Sequence, residues 1–575
     1  MYRIVRPNVA FAFKAARRSQ HSIPLFIMKH LKALNDIIAF PTKSLATKMI
    51  YDKNPPYPHY DHLPYAKEPW KSIYVFYRLF TTLALVPFWV VTYSVLPRRY
   101  RPRASWNLRQ IVNVNFTRRI FKVTEVAGVT WGTRDPTVAP DAHSLKETRF
   151  EWVEPLPKEF QTGIVVDSVP FTRVGCYIWP KDDHPKIKRV NKSDDTRDLI
   201  SHLDLEAGSD DVPLIGIFMH GGGYCHMSAH ESSRTSRIPR NLVKRKILHK
   251  VYAVEYRLLQ HAPFPAVVQD AAAVYAHVVK QYRIKKSQCK IILIGDSSGG
   301  NLVLSLARWL RDEGHLPLPH GLLLLSPSCD TSHALPETLS SYIPRPNQFT
   351  DYLVDTPEPR ALLQRTFLGF KYHPDSPSID EERRLMQVVH SEYVSPCSPI
   401  VLKRWGHDLK QDPEGEHEAR FTRQILQRLP TYLRSNRAPE NLNVVTAQIE
   451  VDGDNPYHKS CRFPKLFGDF PRTLIICGDA ERLVREVRSL VAAMTTDGVD
   501  LQVHWARDAC HDPLMLSEFW WDRTVLEEIW QSVEAWVKGF EGYNISSESS
   551  DSSLDSHLNV HPEAAAAIKA GTLEG

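Results

Sequence analysis

The residues best placed to do chemistry lie in the run Gly295-Asp296-Ser297-Ser298-Gly299-Gly300, which follows the apolar stretch Ile291–Ile294 and precedes a helical segment from Asn301 to Arg311. A serine on a sharp strand-to-helix turn has its hydroxyl presented at the turn. Glycines two residues to either side let strand and helix approach without a side-chain clash. The pentapeptide alone is a weak signal, and its strand–turn–helix setting gives it meaning. Ser297 is therefore the candidate nucleophile for acyl transfer. A second apolar strand, Leu214–Met219, ends in His220-Gly221-Gly222-Gly223-Tyr224, a run that begins 77 residues upstream of Ser297. Consecutive glycines allow backbone N–H groups to converge on a developing oxyanion. The candidate donors are Gly222 and Gly223, with Gly221 as a further one, joined by Ser298 directly after the nucleophile. A phosphate-binding loop is disfavoured, because no P-loop lysine or dinucleotide spacing follows the glycines.

In order and spacing, the glycine run, then Tyr256-Arg257-Leu258 with Phe264-Pro265-Ala266 and Asp270, then the serine turn through Asn301, resemble the hormone-sensitive lipase family of α/β-hydrolases. The membrane-anchored arylacetamide deacetylases and fungal steryl acetate deacetylases belong to that family. The likeness covers roughly residues 212–330 and 470–535. It departs at Leu259-Gln260-His261, where the family often has Ala-Pro-Glu in a structural segment.

The resemblance implies an acid and then a histidine downstream of Ser297, the chain order of this fold. Asp479 and Glu481 both follow the strand Leu474–Cys477, and His511 follows the strand Leu501–Ala506. Glu481 is preferred because the family's acid usually stands two residues before a leucine, here Leu483; Asp479 remains the alternative acid, suited also to capping its own loop. His226 and His230 read as structural, and Cys510 as a packing residue. The implied reaction is hydrolysis of lipophilic carboxylic esters through an acyl-serine, with steryl or aryl acetates ahead of triacylglycerols. An amidase using the same site and a non-catalytic membrane scaffold are the rivals. No metal or organic cofactor is called for.

These residues need a scaffold. Between about 145 and 540, short apolar strands alternate with helical segments, the pattern of a mostly parallel, doubly wound sheet. The interval of 184 residues from Ser297 to Glu481 is long, and the excess falls near 332–392 and 400–470, where insertions would form cap or lid elements. The polar, acidic run after Gly542 predicts a disordered tail over 543–575.

Residues 1–70 read as a basic tail and a Pro/Tyr-rich linker. The first 35 contain no Asp or Glu and suit either a transit peptide or an amphipathic surface segment. A transmembrane helix is expected over 73–97, built on the 18 uncharged residues Leu79–Leu96, with a buried helix as the alternative. The arginines at 98, 99, 101, 103 and 109 favour a cytosolic C-terminal side, whereas sequons at Asn115, Asn191 and Asn544 would be usable only in a lumen. The expectation is a single-pass protein of the endoplasmic reticulum membrane, with the side of the catalytic domain open. A net charge of +7 over 575 residues, with no periodic basic patch, disfavours nucleic acid as a partner. The eight cysteines are scattered without zinc spacing and read mostly as small buried apolar residues.

Overall fold

The structure, a computed structural model, describes residues 65, 67–166, 169–181, 213–282, 289–331, 345–353, 387–407 and 463–540. The sequons at Asn191 and Asn544, residues 1–64, most of both insertions and the tail lie outside these residues.

Eight strands form one sheet: β1 (Arg149–Val153), β2 (Val174–Trp179), β3 (Leu214–Met219), β4 (Lys250–Glu255), β5 (Lys290–Asp296), β6 (Gly321–Leu325), β7 (Arg472–Gly478) and β8 (Leu501–Ala506), in the order β1-β2-β4-β3-β5-β6-β7-β8. The pairs β1/β2 and β2/β4 are antiparallel and all others parallel. Parallel strands are covered on both faces, so their sequences are nearly all apolar and alternate between two cores. In β5, Ile291 and Leu293 enter one core while Ile292 and Ile294 enter the other; Leu322/Leu324 and Leu323/Leu325 of β6 divide in the same way. The first core is closed by the helices Ala266–Tyr282, Ser298–Glu313 and Val484–Asp497, and the second by Arg237–Lys244 and Arg523–Lys538. The strands stand where the alternating sequence expects them, and the fold is that of an α/β hydrolase.

Two helices precede the sheet. The first, α1 (Trp70–Val95), is the only described helix long and apolar enough to cross a membrane by length and composition, with a mean hydropathy of 1.6. The second, α2 (Leu108–Ala127), has no counterpart in the sequence reading. It starts with a reciprocal cap in which Asn107 Oδ1 accepts from the Gln110 N–H (3.1 Å) and Gln110 Oε1 from the Asn107 N–H (2.9 Å). It ends at Gly128, whose φ of 62° lies in the left-handed region that favours glycine. Ile111 and Val114 of α2 belong to the second core, so this helix is part of the catalytic body. Asn115 sits inside α2 with its carboxamide oxygen accepting from Arg118 (2.7 Å), a helical setting unlike an open acceptor loop.

Candidate active site

Ser297 stands between β5 and the helix Ser298–Glu313 with φ 52° and ψ −120°. The surrounding backbone imposes this conformation: the Ser297 N–H donates to Leu325 O (2.8 Å), and its carbonyl accepts from Ser328 (3.0 Å) and Asn301 (3.2 Å). The flanking glycines are required sterically. A Cβ on Gly295 would lie 2.2 Å from Gly299 O, and one on Gly299 would lie 2.0 Å from Met219 O. Ser297 is half-buried, while its neighbours Asp296 and Ser298 are fully buried.

Across from it, the glycine loop turns through positive φ at Gly222 (121°) and Gly223 (61°). The Gly222 carbonyl accepts from the N–H groups of Cys225 (3.1 Å) and His226 (2.9 Å). The N–H groups of Gly222, Gly223 and Ser298 have no hydrogen-bond partner among the described residues, which leaves them available to an anion. Gly221 is different and corrects one expectation: its N–H donates to Asp296 Oδ1 (2.9 Å), so it braces the loop and is not free to hold an oxyanion. His220 is buried and stacked on Tyr256, and burial pulls its imidazole down to about 4, so it is a neutral structural group.

The acid and histidine come from the ends of β7 and β8. Glu481 is fully buried, and its carboxylate accepts from Ser326 Oγ (2.7 Å), the Gly478 N–H (3.3 Å) and Cys477 Sγ (3.0 Å). His511 Nδ1 lies 3.8 Å from Glu481 Oε2, within ion-pair range but longer than a hydrogen bond. Such contacts are often loose without substrate. Burial pulls the His511 imidazolium down, but Glu481, Asp351 and Asp296 outweigh it and hold the group above the usual histidine value. Asp479 points elsewhere: Oδ1 accepts from the Asp508 N–H (2.8 Å) and lies 3.9 Å from Arg103, with the side chain 38% exposed. The structure thus brings Glu481, and not Asp479, to His511.

Several residues here were not singled out by sequence. Ser326, just past β6 with φ 43°, donates to Glu481 and accepts from the Asp512 N–H (3.1 Å). The fragment 345–353, from the first insertion, wraps the acid loop. Asn347 Nδ2 donates to Glu481 O (2.9 Å), Thr350 Oγ1 to Ala480 O (2.8 Å), and the buried Asp351 accepts from the N–H groups of Arg482 (2.7 Å) and His511 (3.2 Å). Tyr352 packs edge-on to His511 with ring centroids 5.9 Å apart. Asp296 and Asp512 face each other in a buried pair, and burial pushes both above the carboxylate range, Asp296 to about 6. The remaining motif residues are structural. Arg257 is clamped to the buried Asp270 (2.8 Å), and in the departing segment His261 Nδ1 accepts from the Leu258 N–H (3.2 Å). The Trp131 backbone N–H donates to His226 Nδ1 (3.1 Å), and His230 Nδ1 pairs with Ser232 Oγ (2.7 Å). Cys510 is buried, and burial pushes its thiol well up. No group of three or more metal-ligating side chains occurs among the described residues.

Residues 216–424 match the profile of a family described by the alpha/beta hydrolase fold. The fold of the chain is thus the α/β-hydrolase fold that its resemblance to the hormone-sensitive lipase group implies. It is similar to an acetyl-hydrolase of Streptomyces hygroscopicus, at 30% identity over 156 residues, 27% of this chain and 46% of that protein. It is also similar to the versiconal hemiacetal acetate esterase of Aspergillus parasiticus, at 26% over 160 residues, 27% of this chain and 46% of the other. A gibberellin receptor of Oryza sativa matches at 32% over 124 residues, 21% of this chain and 34% of the receptor. The chain thus spans about half the length, or less, of these curated relatives. Among solved structures, an esterase of the bacterial hormone-sensitive lipase family aligns at 16% identity with a TM-score of 0.37, covering 81% of this chain and 97% of that one.

Proposed function

We propose that the chain is a membrane-associated carboxylic ester hydrolase acting on lipophilic esters, acetates foremost, through an acyl-Ser297 intermediate. The observation that carries this reading is a set of three features beyond the C-terminal ends of the parallel strands: a strained, half-buried Ser297, unpartnered N–H groups on Gly222, Gly223 and Ser298, and a buried His511 held beside Glu481. His511 takes the Ser297 proton as the hydroxyl attacks the ester carbonyl. The three N–H groups receive the negative charge that develops on its oxygen. Glu481 stabilises the imidazolium, which protonates the leaving alcohol, and water then releases the acid by the reverse sequence.

A panel of aryl esters of increasing acyl length, set against the matching amides, tests the substrate class. Acetyl and other short acyl esters should turn over fastest, with amides slower by orders of magnitude; amides hydrolysed as fast as esters would sink the assignment. A receptor-like protein of this fold, the reading that the rice relative raises, would bind such compounds without turnover.

Asp351 supplies a second test. Three N–H groups, those of Tyr352, Arg482 and His511, donate to its two oxygens, which fits the ionised, acceptor-only carboxylate. His511 must be neutral to act as base, so kcat/KM should rise with pH through its raised pKa. Asp351→Asn removes one of the anions that raise it. The acidic limb of the kcat/KM profile should then move to lower pH. A limb that stays in place would reduce Asp351 to a structural brace.

A further inference from the structure

We propose that α1 is a lipid-docking helix that lies in the plane of a bilayer leaflet, clamped along its length to the catalytic body, and does not cross the membrane. This rests on the reading of the chain as membrane-associated and is independent of its ester chemistry.

Burial along α1 has helical period. Lys71, Val75, Arg78, Thr82, Val86, Trp89 and Tyr93 are buried or half-buried, while Ile73, Phe76, Phe80, Phe88, Val91 and Val95 are exposed. A covered stripe running from Lys71 to Tyr93 means that one side of the helix rests on protein for nearly all of its length of about 39 Å. The covering element is α2, which runs antiparallel to it. Val75 packs with Val123 and Ala127; Arg78 Nε donates to Arg119 O (3.1 Å); Arg119 Nε donates to Thr82 Oγ1 (3.2 Å); and at the far end Arg101 Nη2 donates to Tyr93 O (3.0 Å). In turn α2 is fixed to the active-site side of the domain. Ile111 and Val114 are in the sheet core, Arg118 donates to the carbonyls of Gln348 and Phe349, and Phe121 packs tilted against Tyr352 with ring centroids 5.7 Å apart. The α1–α2 connection is pinned to both catalytic loops as well, by Arg103 to Asp479 O (3.0 Å) and Trp106 Nε1 to Asp508 O (2.8 Å).

A perpendicular, membrane-spanning α1 would have to peel off this surface or carry Arg118, Arg119 and Lys122 of α2 into hydrocarbon, where cations are strongly disfavoured. In-plane docking keeps every contact and still removes the apolar face from water. That face is suited to lipid more than to protein. Between Trp70 and Pro97 the only charged residues are Lys71 and Arg78, both on the covered side, so the face lacks the polar rim that registers a protein partner. Aromatic residues with a polar edge, Trp70, Tyr77 and Tyr100, are exposed along or beside it, and the exposed Arg98 and Arg99 follow directly, suiting anionic headgroups.

The test is topological. In the full chain, one epitope is inserted just ahead of Tyr65 and a second at the C-terminus, and each is probed after selective permeabilisation. In-plane docking puts both epitopes on the same side of the membrane; epitopes on opposite sides overturn it and restore a spanning anchor. A Phe80→Glu/Phe88→Glu variant, altered only on the exposed face, should lose binding to phosphatidylcholine/phosphatidylserine vesicles at least tenfold while hydrolysing a water-soluble acetate at the unaltered rate. Retained vesicle binding in that variant overturns the proposal, as does a wild-type dimer that fails to bind vesicles and that the variant dissociates. A wild-type chain found wholly in the soluble fraction removes the membrane reading and the proposal together, leaving ester hydrolysis to be judged by its own assay.

Discussion

Ser297→Ala should lower ester turnover by about 10⁴- to 10⁶-fold and abolish labelling by a fluorophosphonate, with the fold intact. The size of the loss follows from removal of the attacking atom: what survives is only the rate that binding and the oxyanion donors give to attack by water. The fold should persist because Ser297 is held by backbone bonds to Leu325, Ser328 and Asn301, none of which uses the hydroxyl. A companion variant separates chemistry from stability. At φ 52° any residue with a Cβ is strained, whereas glycine is not. Ser297→Gly should therefore be as inactive as the alanine variant yet more stable than it by about 1 kcal/mol, read as a higher Tm. Activity of Ser297→Ala within about tenfold of wild type would remove Ser297 as nucleophile.

The sequence revealed the parts of this site whose chemistry is local. Strand β5, the glycines at 295 and 299 and the following helix form one contiguous pattern, because the close approach of Gly299 to Met219 O forbids any other residue there. Sheet strands were legible for a similar reason: buried parallel strands are short, apolar and bounded by turns. What escaped depends on contacts between distant segments. Asp351 is one of several carboxylates in an insertion, and its value comes from N–H groups 131 and 160 residues away. Helix α2 was missed because its arginines face protein on two sides, Arg119 toward α1 and Arg118 toward residues 348 and 349, so no single polar face marks it as a surface helix. The apolar character of α1 was plain from composition, but its covered stripe exists only because α2 lies against it. Gly221 shows the limit in miniature: three consecutive glycines look equivalent until Asp296 takes up the N–H of the first.

Glu481→Gln should reduce kcat by about 10³- to 10⁴-fold with little change in KM, whereas Asp479→Asn should leave kcat within a few-fold of wild type. Both carboxylates follow β7 two residues apart, so the prediction turns on where the loop sends them. Glu481 is sealed from water, with Ser326, Gly478 and Cys477 donating to its oxygens, and its free direction is toward His511 Nδ1 at 3.8 Å. A glutamine has nearly the same shape but carries an NH₂ where a carboxylate oxygen stood. At the position of Oε2 that donor faces His511, where it selects the tautomer with the proton on the wrong nitrogen, and also confronts the Ser326 and Gly478 donors; at the position of Oε1 it confronts the Cys477 thiol. It also removes the charge that helps hold the His511 imidazolium above its usual value, so the transition state loses its counterion while substrate contacts are untouched. Asp479, by contrast, holds the Asp508 N–H and lies near Arg103, tasks that an asparagine oxygen performs in part. Measurement of kcat and KM for both variants, with circular dichroism to show that each is folded, decides the matter. Near-normal kcat in Glu481→Gln together with collapse in Asp479→Asn would transfer the role of the acid to Asp479.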